Sequence, residues 1–242
     1  MHILAIETSA ERCSVALARS SGVQLRHQTA GQGVAERALS MIAELLAEQS
    51  VTLSRIDAFA FGSGPGAFTG LRVACALVQG LAFAHDRPVV PVGSLRALAF
   101  GAARAARHQQ QFAADAAMRV MAATDARMGQ VYWAMYDGEP AAREVAAAQL
   151  TAPGRLAELL AQWQPHVIAG NALRAFDTAW PSSYEAIRLP DFGVDASMIA
   201  ELARVDLASG RTVAARDAAP DYVRDQVALT VAQRSTRSGP VP

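Results

Sequence analysis

Residues 3–7, ILAIE, and residues 121–125, MAATD, fall on each other when the sequence is slid by 118 positions, and the same shift lays Val15 and Leu17 over Trp133 and Met135. Both leading stretches are short apolar runs ending in an acid, Glu7 and Asp125. Outward from the first, Cys13 to Ala18 alternates apolar and polar residues, and Ser21-Gly22 punctuates before Val23 to Gln28. That is a three-stranded meander. Ala35 to Gln49 has helical period, with Ala35, Ala38, Leu39, Ile42, Leu45, Leu46 and Gln49 on one face. An apolar strand from Ile56 to Phe61 leads through Gly62–Gly70, GSGPGAFTG, into a helix reaching about His85. Pro88 to Val92 is a further strand, and Ser94 is placed to cap a helix from Leu95 to Arg107.

The second half repeats the order more faintly. Strands are predicted over Arg119–Thr124, Gln130–Tyr136, Glu144–Leu150 and His166–Ala169, with a helix over Pro153–Gln162 opened by Thr151. A last helix over Ala196–Ala208 has Asp195 as its cap and Gly210 as its stop. The fold expected is α/β, a duplicated βββαβα unit. Its divisions are a first lobe over 1–108, a smaller second lobe over 109–232 whose last segment packs back on the first, and a disordered tail over 233–242. The connector HQQQFAADAA, 108–117, and the polar tail QRSTRSGPVP mark the boundaries.

Composition narrows the chemistry. Of the 242 residues 53 are alanine, so the 52% apolar content overstates what a core can gain, and only 6% are aromatic; closely packed helices are favoured over a large aromatic core. Basic and acidic residues balance at 22 each, so no net field draws nucleic acid or membrane. All 22 basic residues are arginine. The lack of lysine excludes a Schiff-base enzyme, a Ser–Lys dyad and a lysine-dependent phosphate loop. Cys13 and Cys75 have no CxxC partner, and no two of the five histidines are close in sequence, so neither a zinc pair nor a disulfide framework is expected. The start MHILAIETSAER has no basic n-region, and the longest apolar run, Val73 to Ala84, is shorter than a bilayer span. A soluble cytoplasmic protein is expected.

Few residues remain for catalysis. Ser63 lacks the spacing of a nucleophile elbow, and Cys75 sits inside an apolar helix pattern. The loop at 62–70 follows a strand and opens a helix, where backbone N–H groups hold anions, yet Pro65 removes one donor. It reads either as an anion site, through Gly64, Gly66 and Thr69, or as a turn that needs glycine for its conformation. Glu7, with Thr8 beside it, and Asp125 either hold Mg²⁺ through water across one cleft or simply accept from nearby turn N–H groups. The helix from Phe68 to Ala84 is apolar nearly all round, with Ala76, Gly80 and Ala84 recurring at i+4. Either the sheet and the helix from Ala35 cover it, or a partner subunit does. On the second reading the partner or dimer face is Ala35, Leu39, Ile42, Phe68, Arg72, Ala76, Gly80 and Ala84.

ILAIETSAERCSVAL, GSGPGAFTGLRVACALVQGLAFA and DARMGQVYWAMY together resemble the TsaB (YeaZ) family of bacterial accessory proteins for tRNA threonylcarbamoyladenosine synthesis. The string Gly64 to Arg72 is the most specific part. The resemblance implies an actin-like, Hsp70-like (ASKHA) fold of two RNase H-like lobes. It implies a subunit, inactive alone, that binds and activates the transferase TsaD, associates with the ATPase TsaE, and forms a homodimer in isolation. The product is N6-threonylcarbamoyladenosine at position 37 of ANN-decoding tRNAs. It implies tRNA contact only through the complex, no cofactor bound independently, and Mg-ATP or ADP only in the complex. The sequence departs from its relatives at Glu7, where the fold usually has Asp, at Val34-Ala35-Glu36 for His-Ser-Glu, at Ser63 for Arg and at Ala67 for Ser. An independent ATPase or kinase-like enzyme of the same fold is the alternative, and a metallopeptidase a weaker one.

Overall fold

The computed structural model describes residues 1–29, 31–109, 117–138 and 142–224, and these form two five-stranded sheets with one shared strand order. The first contains β1 (Ile3–Glu7), β2 (Arg12–Arg19), β3 (Gly22–Thr29), β4 (Ala58–Gly64) and β5 (Val89–Gly93), arranged β3-β2-β1-β4-β5. Between them come α1 (Val34–Glu48) and α2 (Phe68–His85), and α3 (Ser94–His108) follows β5. The second sheet contains β6 (Arg119–Asp125), β7 (Val131–Asp137), β8 (Arg143–Thr151), β9 (Val167–Ala169) and β10 (Ile187–Leu189), arranged β8-β7-β6-β9-β10. Its helices are α4 (Leu156–Trp163), the single turn α5 (Ala172–Ala175) and α6 (Ala196–Ala208). In each sheet the first three strands are antiparallel, and the fourth and fifth join in parallel. This is the α/β duplication that the sequence predicts, in the two-lobed layout that the family resemblance implies.

The internal alignment needs one correction. Leu4 faces Leu17 across β1 and β2, and Met121 faces Met135 across β6 and β7. Leu17 therefore matches Met135 at a shift of 118, but Leu4 matches Met121 at 117. Burial agrees, because Leu4 and Ile6 lie in the outer core under α1 and α2, and Met121 and Ala123 in the outer core under α4 and α5. A slide of 118 would put inward Ile3 on outward Met121, since one residue of slip reverses every face of a strand. Structurally Glu7 corresponds to Thr124, and Asp125 to Thr8.

α3 and α6 form the layer between the sheets. α6 lies on all five strands of the first sheet, whereas α3 packs on β6, β7 and β9 as well as β4 and β5. They approach closely at Gly101, where a Cβ would lie 2.6 Å from the Met198 sulfur. Buried Asp206 of α6 accepts from Arg96 of α3 at 2.6 and 3.1 Å and from Arg211 at 2.6 and 3.1 Å. Burial pushes the Asp206 pKa up, but the hydrogen bonds and charge of the two arginines outweigh it and hold the carboxyl below the usual aspartate range. The boundary expected at 108 falls at the end of α3, and the tail expected over 233–242 lies outside the described residues.

Smaller differences have local causes. Asp195 caps α6 by accepting from the N–H groups of Ser197 and Met198. Ser94 caps nothing; it is the first residue of α3, and its hydroxyl donates to Glu7. A 3₁₀ turn at Pro153–Arg155 precedes α4, so the helix opens at Leu156 without Thr151. By length and composition α2 could cross a bilayer, yet Leu71, Ala74, Cys75, Val78 and Ala82 are buried in the fold.

Candidate functional site

The 62–70 loop owes its glycines to crowding by the end of β1. A Cβ on Gly62 would sit 1.8 Å from a Glu7 carboxylate oxygen, and one on Gly70 would sit 2.1 Å from the Thr8 carbonyl oxygen. Gly64 has a φ of +120°, which a side chain rarely adopts. The Ala67 N–H donates to the Ser9 carbonyl at 2.9 Å, and the Thr8 hydroxyl to the Gly70 carbonyl at 2.7 Å. The loop is thus stitched to the β1–β2 turn.

The residues of the expected anion site are placed apart. Glu7 is fully buried; Oε1 accepts from the Ser9 N–H at 2.6 Å and its hydroxyl at 2.7 Å, and Oε2 from the Ser94 hydroxyl at 2.9 Å. Burial raises its pKa, with the serine hydrogen bonds working in the opposite direction. Both carboxylate oxygens are thus engaged, and Glu7 is not part of the cleft lining. Thr8 and Gly64 are buried away from the cleft, and exposed Thr69 is outside its lining. Gly66 and Asp125 do line it. Asp125 accepts from the Arg127 N–H at 2.8 Å and its guanidinium at 3.2 Å, the behaviour of a turn acid.

The cleft between the sheets has a volume of about 540 Å³. Its apolar wall comes from Leu95, Leu98, Tyr132, Phe192 and Val194, and its polar rim from Glu11, Arg12, Asp125, Arg127, Asn171 and Asp191. The rim is tied across: Asn171 donates to Glu11 at 3.0 Å, and Arg174 to Glu11 at 3.1 Å and to Asp191 at 2.6 Å. Sequence reading missed Glu11, Asn171 and Arg174. The available signal was Gly170, which ends a buried strand and has a φ of +119°. Among the described residues no group of three or more His, Cys, Asp or Glu could hold a metal. Ser63 is buried, and the Cys75 thiol, its pKa raised by burial, donates to the Ala218 carbonyl.

The outer face of α2 is open. Phe68 is 38% exposed and Phe83 80%, and Arg72, Ala76, Gly80 and Ala84 are exposed in one i+4 row between them. A Cβ on Gly80 would meet nothing within 4 Å. Neighbouring α1 adds Leu39, 46% exposed, and half-buried Ala35. Ile42 is a correction: it is 3% exposed, because the apolar stripe of α1, with Ala38, Met41, Leu45 and Leu46, turns onto the first sheet. Phe83 is the residue that sequence reading omitted from this face.

The chain is similar to known proteins along nearly its whole length. Residues 26–231 match a family model described as TsaD, tRNA N6-adenosine threonylcarbamoyltransferase. The tRNA threonylcarbamoyladenosine biosynthesis protein TsaB of Haemophilus influenzae is 33% identical over 239 residues, covering 93% of this chain and 94% of that one. The protein of the same name from Escherichia coli is 33% identical over 237 residues, covering 94% and 96%. YeaZ from Pseudomonas aeruginosa superposes with a TM-score of 0.78 at 38% identity, covering 91% of this chain and 99% of that one.

Proposed function

Since the chain belongs to the TsaB (YeaZ) family, we propose that it is a non-catalytic subunit that binds and activates TsaD in tRNA threonylcarbamoyladenosine synthesis. On this reading the product is N6-threonylcarbamoyladenosine at position 37 of ANN-decoding tRNAs. The observation that carries it is the open face of α2, where Phe83 is 80% exposed beside a row of small residues. Large apolar side chains flanking alanine and glycine suit a close helix crossing with a second protein. A homodimer in isolation and TsaD in the complex would use the same face in turn. The TsaE homologue and Mg-ATP or ADP enter at the complex, and tRNA is held by the complex, since the chain's own charges balance. The buried Glu7 and the Arg127-paired Asp125 give little support to an independent nucleotide-hydrolysing enzyme.

Gly80→Arg tests the reading cleanly, because the site is open and the variant should fold. A cation in the crossing would be desolvated and sterically excluded. The expected result, with circular dichroism unchanged, is a monomer whose affinity for TsaD falls at least about tenfold, a loss of 1.4 kcal/mol or more. Threonylcarbamoyladenosine formation in the reconstituted system should fall to the level seen without this subunit. A folded variant that dimerises, binds TsaD and supports modification as the parent does would sink the proposal.

A further inference from the structure

The segment after α6 runs from one sheet to the other along α2. Val213 exchanges two backbone hydrogen bonds of 2.9 Å with Val89 at the edge of the first sheet. The Ala218 carbonyl accepts from Cys75 at 3.5 Å and from Gln79 at 2.9 Å, both on α2. The Asp221 N–H donates to the Ser63 carbonyl at 2.7 Å, in the glycine-rich loop. Tyr222 lays its ring 5.3 Å from that of Phe68, and its hydroxyl accepts from Arg72 at 3.1 Å. Arg72 itself sits 4.0 Å over the Phe68 ring. Arg224 then crosses to the β6–β7 turn, donating to Gln130 at 2.8 Å, with its guanidinium 5.9 Å from the centre of the Tyr132 ring. Beneath this strap lies a second cavity of about 180 Å³, and Pro65, Gly66 and Arg127 line both it and the main cleft.

We infer that residues 218–224 are an interlobe clasp, and that a protein docking on the α2 face must lift Tyr222 to seat itself. Phe68 and Arg72 are the first residues of the row that continues through Ala76 and Gly80, so Tyr222 covers one end of the docking face. Helices in contact run 8–10 Å apart, which leaves no room for a tyrosine ring lying on Phe68. Lifting Tyr222 loosens its neighbour Arg224, and with it the tie between the first lobe and the β6–β7 turn. The clasp is built to yield. Arg72 and Arg224 have no carboxylate partner among the described residues: Arg72 is held by one hydrogen bond to Tyr222 and its stacking on Phe68, and Arg224 by bonds to the neutral acceptors Gln130 Oε1, the Arg127 carbonyl at 3.5 Å and the Met128 sulfur at 3.2 Å. Docking on one side of the first lobe is thereby coupled to the opening of the cleft on the other. The coupling rests on the docking face proposed above; the clasp does not.

The test uses the full chain with two variants, Tyr222→Ala combined with Arg224→Ala, and Tyr222→Phe, which removes only the hydroxyl. Hydrogen exchange of the isolated protein reads the clasp. The amides of Gly66 and Ala67, and those in 126–130, should exchange several-fold faster in the double variant, with the sheets unchanged. Affinity for TsaD reads the coupling: a face freed from an aromatic pair and a charged hydrogen bond should bind about tenfold more tightly, and Tyr222→Phe by a smaller factor. Unchanged exchange in both segments overturns the clasp. Faster exchange with equal or weaker TsaD binding overturns the competition and makes Tyr222 part of the docking face. A parent protein that does not bind TsaD at all refutes the proposed function, and the exchange result still decides the clasp.

Discussion

Replacing Asp206 by asparagine keeps the volume of the side chain and removes the charge that ties α6 to α3. The carboxylate is 3% exposed and receives four N–H···O bonds from Arg96 and Arg211. Breaking one side of a fully buried pair costs about 3–5 kcal/mol. Here the Arg96 and Arg211 side chains are 20% and 58% exposed, so both regain some water, and the Asn carbonyl keeps part of the set. The expected loss is therefore about 2–3 kcal/mol, or roughly 5–10 °C in Tm for a chain of this size. The pH dependence gives the sharper check. The folded pKa lies below the ordinary aspartate value, so the contribution is complete above about pH 5 and is lost as pH falls through the lowered folded value. Urea unfolding of parent and variant between pH 8 and pH 3 should show a constant difference down to about pH 5, then convergence. A difference below about 0.5 kcal/mol at pH 7, the size of an exposed pair, would refute the assignment of Asp206 as the tie. So would a difference that persists undiminished into acid.

Glu7 carries the opposite sign. Its folded pKa is raised, so ionising it costs stability as pH rises from the ordinary glutamate value through the folded one. Glu7→Gln, which can still accept from Ser9 and can donate to the Ser94 hydroxyl, should match the parent at pH 4 and exceed it at pH 8. Urea midpoints at the two pH values decide; a variant less stable at pH 8 than at pH 4, relative to the parent, contradicts the sign. Two glycines of one helix should part ways under the same change. Gly70→Ala drives a Cβ to 2.1 Å from the Thr8 carbonyl oxygen and should cost about 2 kcal/mol or more, while Gly80→Ala should gain up to about 1 kcal/mol of helix propensity. Thermal melts that rank them the other way would show the outward face of α2 to be misplaced.

Periodicity made most elements legible. Alternation over Cys13–Ala18 and the apolar stripe of α1 depend on local burial alone, so β2 and α1 lie within a residue or two of their expected ends. What sequence could not show was register. Glu7 and Asp125 look equivalent because each ends an apolar run, yet the β6–β7 connection is one residue longer than its counterpart and moves the match to Thr8. Long-range contacts account for the other gaps. Ser94 has the type of a helix cap, but a buried carboxylate from the far end of β1 takes its hydroxyl. β10 is three half-buried residues paired only to β9, too short for any pattern to mark. On the α2 face the small-residue row was readable from spacing. Ile42 was misassigned because the width of the buried stripe on α1 is set by the sheet beneath it. The clasp residues Tyr222 and Arg224 carry no local motif, and their roles come from partners on α2 and the β6–β7 turn.

The crossing of α6 over the first sheet has a consequence for synthesis of the chain. β1 and β2 leave the ribosome almost at once, but the helix that covers their inner face begins at Ala196. At about 5–20 residues per second, the wait between the end of α3 and the completion of α6 is on the order of 5–20 s. For that interval Ile3, Ala5, Ala16 and Ala18 face outward on a sheet covered on one side, without the partner that later covers them. The nascent first lobe is therefore a natural client for a ribosome-bound chaperone, and a ribosome stalled before residue 196 holds a sticky intermediate rather than a finished domain.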